Sequence, residues 1–276
     1  MLKKIKRLRA NALIGLSLLG LILSIALIGT LLTPYDAVET DFLNRFALPS
    51  PMHLFGTDEY GRDVFSRVAA GAFISLRVAL ASVTIAIVAG VTVGGITGFF
   101  GGWLDRILMV FIDSLMAFPG LLLVLGIMAA LGPTEVGVIF ALGVAYTPSI
   151  TRIVRGTVLS LREKEFVEAS KLIGNSDMVT LFRHILPNCI TPIIVVSTSI
   201  FTAAMLSETA LSFLGLGVPP PAPSWGSMLS DSRNYLGLNP WMGIFPGIAI
   251  TMTLLAVNLI GDALRDYFDP RMRSER

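Results

Sequence analysis

The sequence predicts an all-α, polytopic membrane protein with six transmembrane helices, and three observations predict it. Of its 276 residues 54% are hydrophobic and only 14% charged, against roughly 25% charged in soluble domains. Mean hydropathy is +0.76. The apolar residues gather in runs as long as the roughly 20 residues that cross a hydrocarbon core. The lysines and arginines cluster in alternate connections between those runs, as short cytoplasmic loops require.

The first run, Ala10 to Leu32, is uncharged and follows Lys3, Lys4, Lys6, Arg7 and Arg9. A basic start before an apolar stretch is also the layout of a signal peptide. This stretch exceeds the roughly 7 to 15 residues of a signal core and no small-residue cleavage site follows, so it reads as a retained anchor. The second run is Val78 to Gly101; the third, Ile107 to Leu131, is interrupted only by Asp113. The fourth, Val136 to Val154, contains Pro148, which removes a backbone donor and predicts a kink. Asn188 to Phe213, with Glu208, and Trp241 to Leu264, with Asp262, complete the six. An even number places both termini on one side. With that side cytoplasmic, sixteen of the 21 Lys and Arg residues lie inside and four (Arg45, Arg62, Arg67, Arg233) outside, so the N-terminus is expected in the cytoplasm.

Several chemistries are poorly served. A single cysteine, Cys189, precludes an internal disulfide framework, and His53 and His184 are too distant in sequence to suggest a ready-made metal site. No G-x-x-x-x-G-K-[ST] loop occurs, nor H-E-x-x-H or G-x-S-x-G. The chain is therefore expected not to be an enzyme, to bind no metal or cofactor itself, and to have the bilayer rather than nucleic acid as its surroundings.

One polar segment, residues 163–187, interrupts the oil on the predicted cytoplasmic side. Glu163 to Ile173 are good helix formers, and Glu168 and Lys171, three apart, can pair on one face. Gly174 supplies a left-handed helix end and Ser176 an N-cap for a second helix. In that helix Met178, Leu181, Phe182 and Ile185 follow the i, i+3, i+4, i+7 spacing of an apolar stripe. Such a stripe either packs on the chain's own spans or enters a partner's groove.

The residue order here, Glu168-Ala169-Ser170, then Gly174, then Leu186-Pro187, resembles the EAA loop of ABC-transporter permeases. Ser170 stands where the pattern has its second alanine, and His184 where it has isoleucine. The likeness continues in Phe55-Gly56-Thr57-Asp58, Gly61-Arg62-Asp63, Ser66-Arg67, Leu211 to Gly217, Pro223-Ser224-Trp225-Gly226, Asn258-Leu259, Gly261-Asp262, Leu264-Arg265-Asp266 and Asp269-Pro270-Arg271. Together these resemble the inner-membrane permeases of dipeptide, oligopeptide and nickel ABC importers, in particular the second of their two permease types. The resemblance implies a type I importer fold. It also implies a first helix and the start of an outer loop in 1–55, a transport domain in 73–265 and a cytoplasmic tail in 266–276.

The implied partners are a second, homologous permease, two cytoplasmic ATPase subunits that bind ATP and magnesium, and an extracytoplasmic substrate-binding protein. The implied ATPase-coupling residues are Glu168, Ala169, Ser170, Gly174, Asn175, Ser176, Asp177, Met178, Leu181, Phe182 and Arg183. The cargo stays open between peptides and a related small solute such as a nickel chelate. A carboxylate at membrane depth costs roughly 2.5–3.5 kcal/mol on insertion scales, so Asp113 with Ser114 either pairs with a neighbouring span or lines the pathway, while Glu208 and Asp262 fit structural roles. A proton-coupled secondary transporter using Asp113, Glu208 and Asp262 is the alternative function. Of the outer loops, 33–73 has six acidic residues against three basic ones, and 213–243 has a stiff proline run followed by Ser224 as the cap of a short helix through Tyr235. Either is a solvated or rigid surface, or a contact for the binding protein. Trp225 and Trp241 read as membrane-interface residues.

Overall fold

The computed structural model describes residues 2–268; the predicted tail lies outside them from residue 269 onward. Helix α1 spans Leu2–Leu31, α2 Val64–Phe100, α3 Gly102–Met116, α4 Gly120–Leu131 and α5 Glu135–Leu161. After the short α6 (Glu165–Leu172) and the single turn α7 (Asp177–Val179) come α8 (Ile190–Phe213), α9 (Trp225–Ser232) and α10 (Trp241–Phe268). Five helices are long and apolar enough to cross a membrane, and six if α3 and α4 form one broken span.

That break corrects the third predicted span. Its two arms meet at 97°, because Pro119 offers no amide hydrogen and disfavours helical backbone at Phe118 before it. By contrast α5 runs through Pro148 and ends at Leu161, not Val154. The second span is also longer than predicted: Asp63 caps α2, its carboxylate accepting from the Ser66 amide at 2.8 Å. Arg67 and Arg77 thus lie inside the helix that the apolar run alone had started at Val78.

Helices α2 and α5 form the most extensive pair. Gly90, Gly94 and Gly98 recur every four residues along α2 and meet Ile150, Thr151 and Arg155. A Cβ on Gly94 would stand 2.6 Å from the Thr151 carbonyl oxygen, and one on Gly98 2.9 Å from that of Arg155. Small residues at this spacing let two backbones approach in a medium where no hydrophobic force drives helices together. The first span packs as part of the bundle, with Ile22 and Ala26 buried in a core shared with α2 and α10.

The two connections at the end of the bundle opposite Gly174 are joined. Asn239 donates to the Thr57 carbonyl at 2.9 Å, and Phe55 stacks on Phe245 at 3.7 Å. Arg62 pairs with Asp58 at 2.6 Å and Glu59 at 3.1 Å, while Arg67 reaches Asp58 at 3.3 Å and Asp231 at 3.7 Å. Asp58, Glu59 and Asp63 are buried while Asp36, Glu39 and Asp41 are exposed, so only the first half of the acidic set in loop 33–73 is a solvated face. Trp225 is likewise no interface residue: it is fully buried, its ring N–H donating to the Val68 carbonyl at 2.8 Å and its amide to Ser75 Oγ at 3.1 Å. Trp241 does remain partly exposed and stacks on Phe245.

Candidate functional site

The polar segment folds into the elbow its residues predict. Helix α6 stops at Leu172, and Gly174 takes φ +89° with its amide donating to the Lys171 carbonyl at 3.0 Å. That left-handed backbone strains any residue with a Cβ. Ser176 caps the following turn, its Oγ accepting from the Val179 amide at 3.4 Å. The chain then passes through a π-helical turn, Thr180–Ile185, and a 3-10 turn, Leu186–Cys189, into α8.

Ser170, the residue that departs from the alanine of the motif, ties the elbow shut. Its hydroxyl lies 3.0 Å from Thr180 Oγ1 and accepts from Asn175 Nδ2 at 3.1 Å, while its carbonyl accepts from the Asn175 amide at 3.2 Å. Both sides of the bend are thereby fixed to one buried side chain. The predicted pairing of Glu168 with Lys171 is absent among the described residues; Lys171 Nζ instead lies 5.5 Å from the centre of the Phe99 ring. Glu168 and Ala169 are exposed.

The predicted apolar stripe divides in two. Leu181 and Ile185 are fully buried beside Val158, Val167 and Cys189, so they anchor the elbow to α5 and α6. Met178 and Phe182 are 53% and 59% exposed, as are Leu172 (87%) and Ile173 (81%) on the other side of Gly174, so the elbow carries four exposed large apolar side chains, here called its apolar knob. Leu172 and Ile173 were not among the predicted site residues, though two large apolar side chains just before a helix-ending glycine are a legible signal. Asp177 and Arg183 are exposed beside the knob.

Of the membrane-depth acids, Asp113 accepts from Arg152 Nη2 at 2.7 Å. One turn further along α5, Arg155 grips Asp105 through two bonds, Nε to Oδ1 at 2.7 Å and Nη2 to Oδ2 at 2.8 Å. Arg152 and Arg155 had been counted as loop charges; both belong to α5 and brace it against α3. Ser114 donates back to Val110 O of its own helix. Glu208 is fully buried at the far end of α8, its Oε1 accepting from Ser212 Oγ at 2.8 Å while Oε2 has no partner. Asp262 is exposed on α10. No hydrogen bond or ion pair among the described residues links Asp113, Glu208 and Asp262, so the structure does not assemble the proton relay that the secondary-transporter alternative needs.

A helical bundle with a broken span, ionic braces between its helices and an apolar knob on a glycine elbow is the architecture of a multi-pass membrane protein. Comparison with known proteins agrees. Residues 90–274 match the family described as the binding-protein-dependent transport system inner membrane component, and the chain belongs to that family. It is 44% identical to the dipeptide transport system permease protein DppC of Alkalihalophilus pseudofirmus, over 98% of this chain and 89% of that one. It is 40% identical to the glutathione transport system permease protein GsiD of Pectobacterium atrosepticum, over 92% and 85% respectively. An inward-facing structure of the MetNI methionine ABC transporter shares the fold, with a TM-score of 0.59 at 17% identity, covering 73% of this chain and 95% of that one. The chain is thus a permease subunit of an ABC transporter, resident in the inner membrane.

Proposed function

We propose that this permease imports peptides, drawing energy from two cytoplasmic ATPase subunits and receiving cargo from an extracytoplasmic substrate-binding protein. The relatives named above, for a dipeptide and for glutathione, share peptide cargo, and this supports peptides over a nickel chelate. Both termini and the Gly174 elbow face the cytoplasm, in line with the distribution of Lys and Arg. ATP and magnesium bind to the ATPase subunits, this chain having no phosphate-binding glycine loop.

The observation that carries the coupling mechanism is the division of the stripe. Leu181 and Ile185 root the elbow in the bundle, while Met178, Phe182, Leu172 and Ile173 offer an apolar surface suited to a groove on one ATPase subunit. A push on the knob passes through Ser170, Asn175 and Thr180 into α6, and through Leu181 and Ile185 into α5 and α8. Gly174 sets the angle, and Glu168, Asp177 and Arg183 flank the contact. A second, homologous permease completes the translocation path, the two forming a heterodimer.

The test is reconstitution of the chain with its partner permease, ATPases and binding protein. Peptide uptake that requires ATP, survives collapse of the proton gradient and is lost on Met178→Asp with Phe182→Asp, the double variant still reaching the membrane, is the expected result. Uptake that follows the proton gradient without ATP would overturn the proposal.

A further inference from the structure

The end of the bundle opposite Gly174 holds a cavity of about 290 Å³ between the two outer connections. Its lining is of two kinds. Val218, Pro220, Pro221 and Ala222 are apolar, while Glu59, Arg62, Arg67 and Asp231 are charged. The charges do not balance, because Asp58, Glu59 and Asp231 bring three carboxylates to the two guanidiniums. Glu59 receives Arg62 Nη2 on Oε1 at 3.1 Å, but its Oε2 is buried without a partner among the described residues. Asp231, with 43% of its side chain exposed, stands 3.7 Å from Arg67 and 4.0 Å from Arg62, beyond hydrogen-bond reach.

A buried acceptor left unpaired needs a physical reason. The adjoining hollow of about 10 Å³, lined by Asp58, Glu59, Val64 and Met242 among others, has room for about one water. Water brings no charge, so the excess carboxylate stays. Burial lifts the carboxyls of both Glu59 and Asp231 above their usual range, as expected of negative charge short of a counter-ion. The surroundings carry the same sign. Asp36 and Glu39 are exposed on either side of Ala37, whose carbonyl accepts from Arg67 Nη1 at 3.2 Å. Exposed Asp41 donates its amide to the Tyr60 carbonyl at 3.0 Å. The two remaining outer arginines face other groups: Arg45 donates to the Glu59 backbone carbonyl at 2.6 Å, and Arg233 lies over the Phe213 ring.

We infer that this cavity is a socket for a lysine side chain of the substrate-binding protein, its ammonium on Glu59 Oε2 and Asp231 and its methylene stem against Val218, Pro220 and Pro221. The inference rests on the reading above that a binding protein delivers cargo to this face. An ammonium is a compact group with three N–H donors, and its single positive charge brings three carboxylates and two guanidiniums to neutrality. The long stem above it suits an apolar lining. A divalent cation fits less well, since it takes roughly six oxygen ligands or more and most carboxylate oxygens here are already held by Arg62 and Arg67. No group of acidic, histidine or cysteine side chains among the described residues is arranged to hold a metal.

The experiment uses the complete importer in proteoliposomes, with peptide uptake measured against the concentration of peptide-loaded binding protein. Glu59→Gln combined with Asp231→Asn is expected to raise the half-saturating concentration by about tenfold, with the rate at saturation little changed. Asp231→Asn alone, at the exposed edge of the cavity, is expected to give about threefold, and it keeps the test available should the double variant fail to assemble. Acetylating the lysines of the binding protein removes their charge and should weaken docking to the wild-type importer about tenfold more than to the double variant. Reductive methylation, which keeps the charge, should leave docking unchanged. The peptide affinity of each modified binding protein is measured separately.

If both variants reach half-saturation where the wild type does, or if acetylation weakens docking to wild type and double variant alike, no lysine enters the cavity and the inference falls. It falls equally if the variants lose rate at saturation and only for peptides with a free amine, since the cavity then meets cargo instead of the binding protein. If no binding protein stimulates the wild-type importer, the delivery reading fails and this inference with it.

Discussion

Replacing Gly174 by alanine isolates the elbow's backbone angle from every other effect. Gly174 sits at φ +89° and an added Cβ would meet no heavy atom within 4 Å, so no clash contributes. What remains is the strain of a left-handed L-residue, about 1–2 kcal/mol. That energy shifts the balance between the observed bend and its alternatives by roughly 5- to 30-fold. A bend that transmits force should lose coupling by a comparable factor, read as peptide imported per ATP hydrolysed in proteoliposomes. Trypsin cleavage after Lys171, three residues before the bend, should accelerate in step. The matched control is Gly156→Ala, the same chemical change at an open site inside helix α5, where losing glycine is neutral or mildly stabilising. Should Gly174→Ala import and hydrolyse as the control does, with unchanged proteolysis, the elbow's angle has no part in coupling.

Gly94→Ala should loosen the α2–α5 seam by about 1–3 kcal/mol, because its Cβ meets the Thr151 carbonyl oxygen and the Arg155 amide nitrogen, atoms of backbone that cannot rotate away; Gly20→Ala, with open space around it inside α1, should leave the melting temperature in detergent unchanged or slightly raised. Asp105→Asn weakens the two-bond grip of Arg155 and should cost about 2 kcal/mol, seen as a lower midpoint of thermal inactivation at unaltered ATP affinity. Glu59 has its carboxyl pushed above the usual range, first by burial and then by the Asp58 charge. A raised carboxyl binds more protons folded than unfolded, so its contribution is fully present below the unfolded value and is lost as pH rises through the folded one. The melting temperature of Glu59→Gln should therefore gain on wild type between pH 4 and pH 8, and a difference that does not vary with pH would refute the assignment.

The apolar runs and the elbow were legible because each rests on local chemistry. Gly174 and Ser176 act through their own backbone neighbours, so their roles could be read from order alone. The Pro119 break needed more. Pro119 and Pro148 both lie in apolar runs, yet one ends a helix and the other is buried within α5, and only the packing around each decides that. Arg152 and Arg155 looked like loop charges because their partners, Asp113 and Asp105, lie 39 and 50 residues away. Trp225 looked like an interface residue because Val68 and Ser75 are more than 140 residues distant.

Taken alone, the sequence determined that this chain lives in a bilayer, how many times it has the length to cross, and where a glycine must bend it. A hydrocarbon core demands long apolar helices, and a positive φ demands glycine, whatever surrounds them. Tertiary structure decided which half of the Met178–Ile185 stripe is rooted and which is offered, and which of the two arginines on α5 is locked and which is half open. Those distinctions are matters of what stands within a few ångströms, and neighbours in space are set by the packing of helices far apart in the chain.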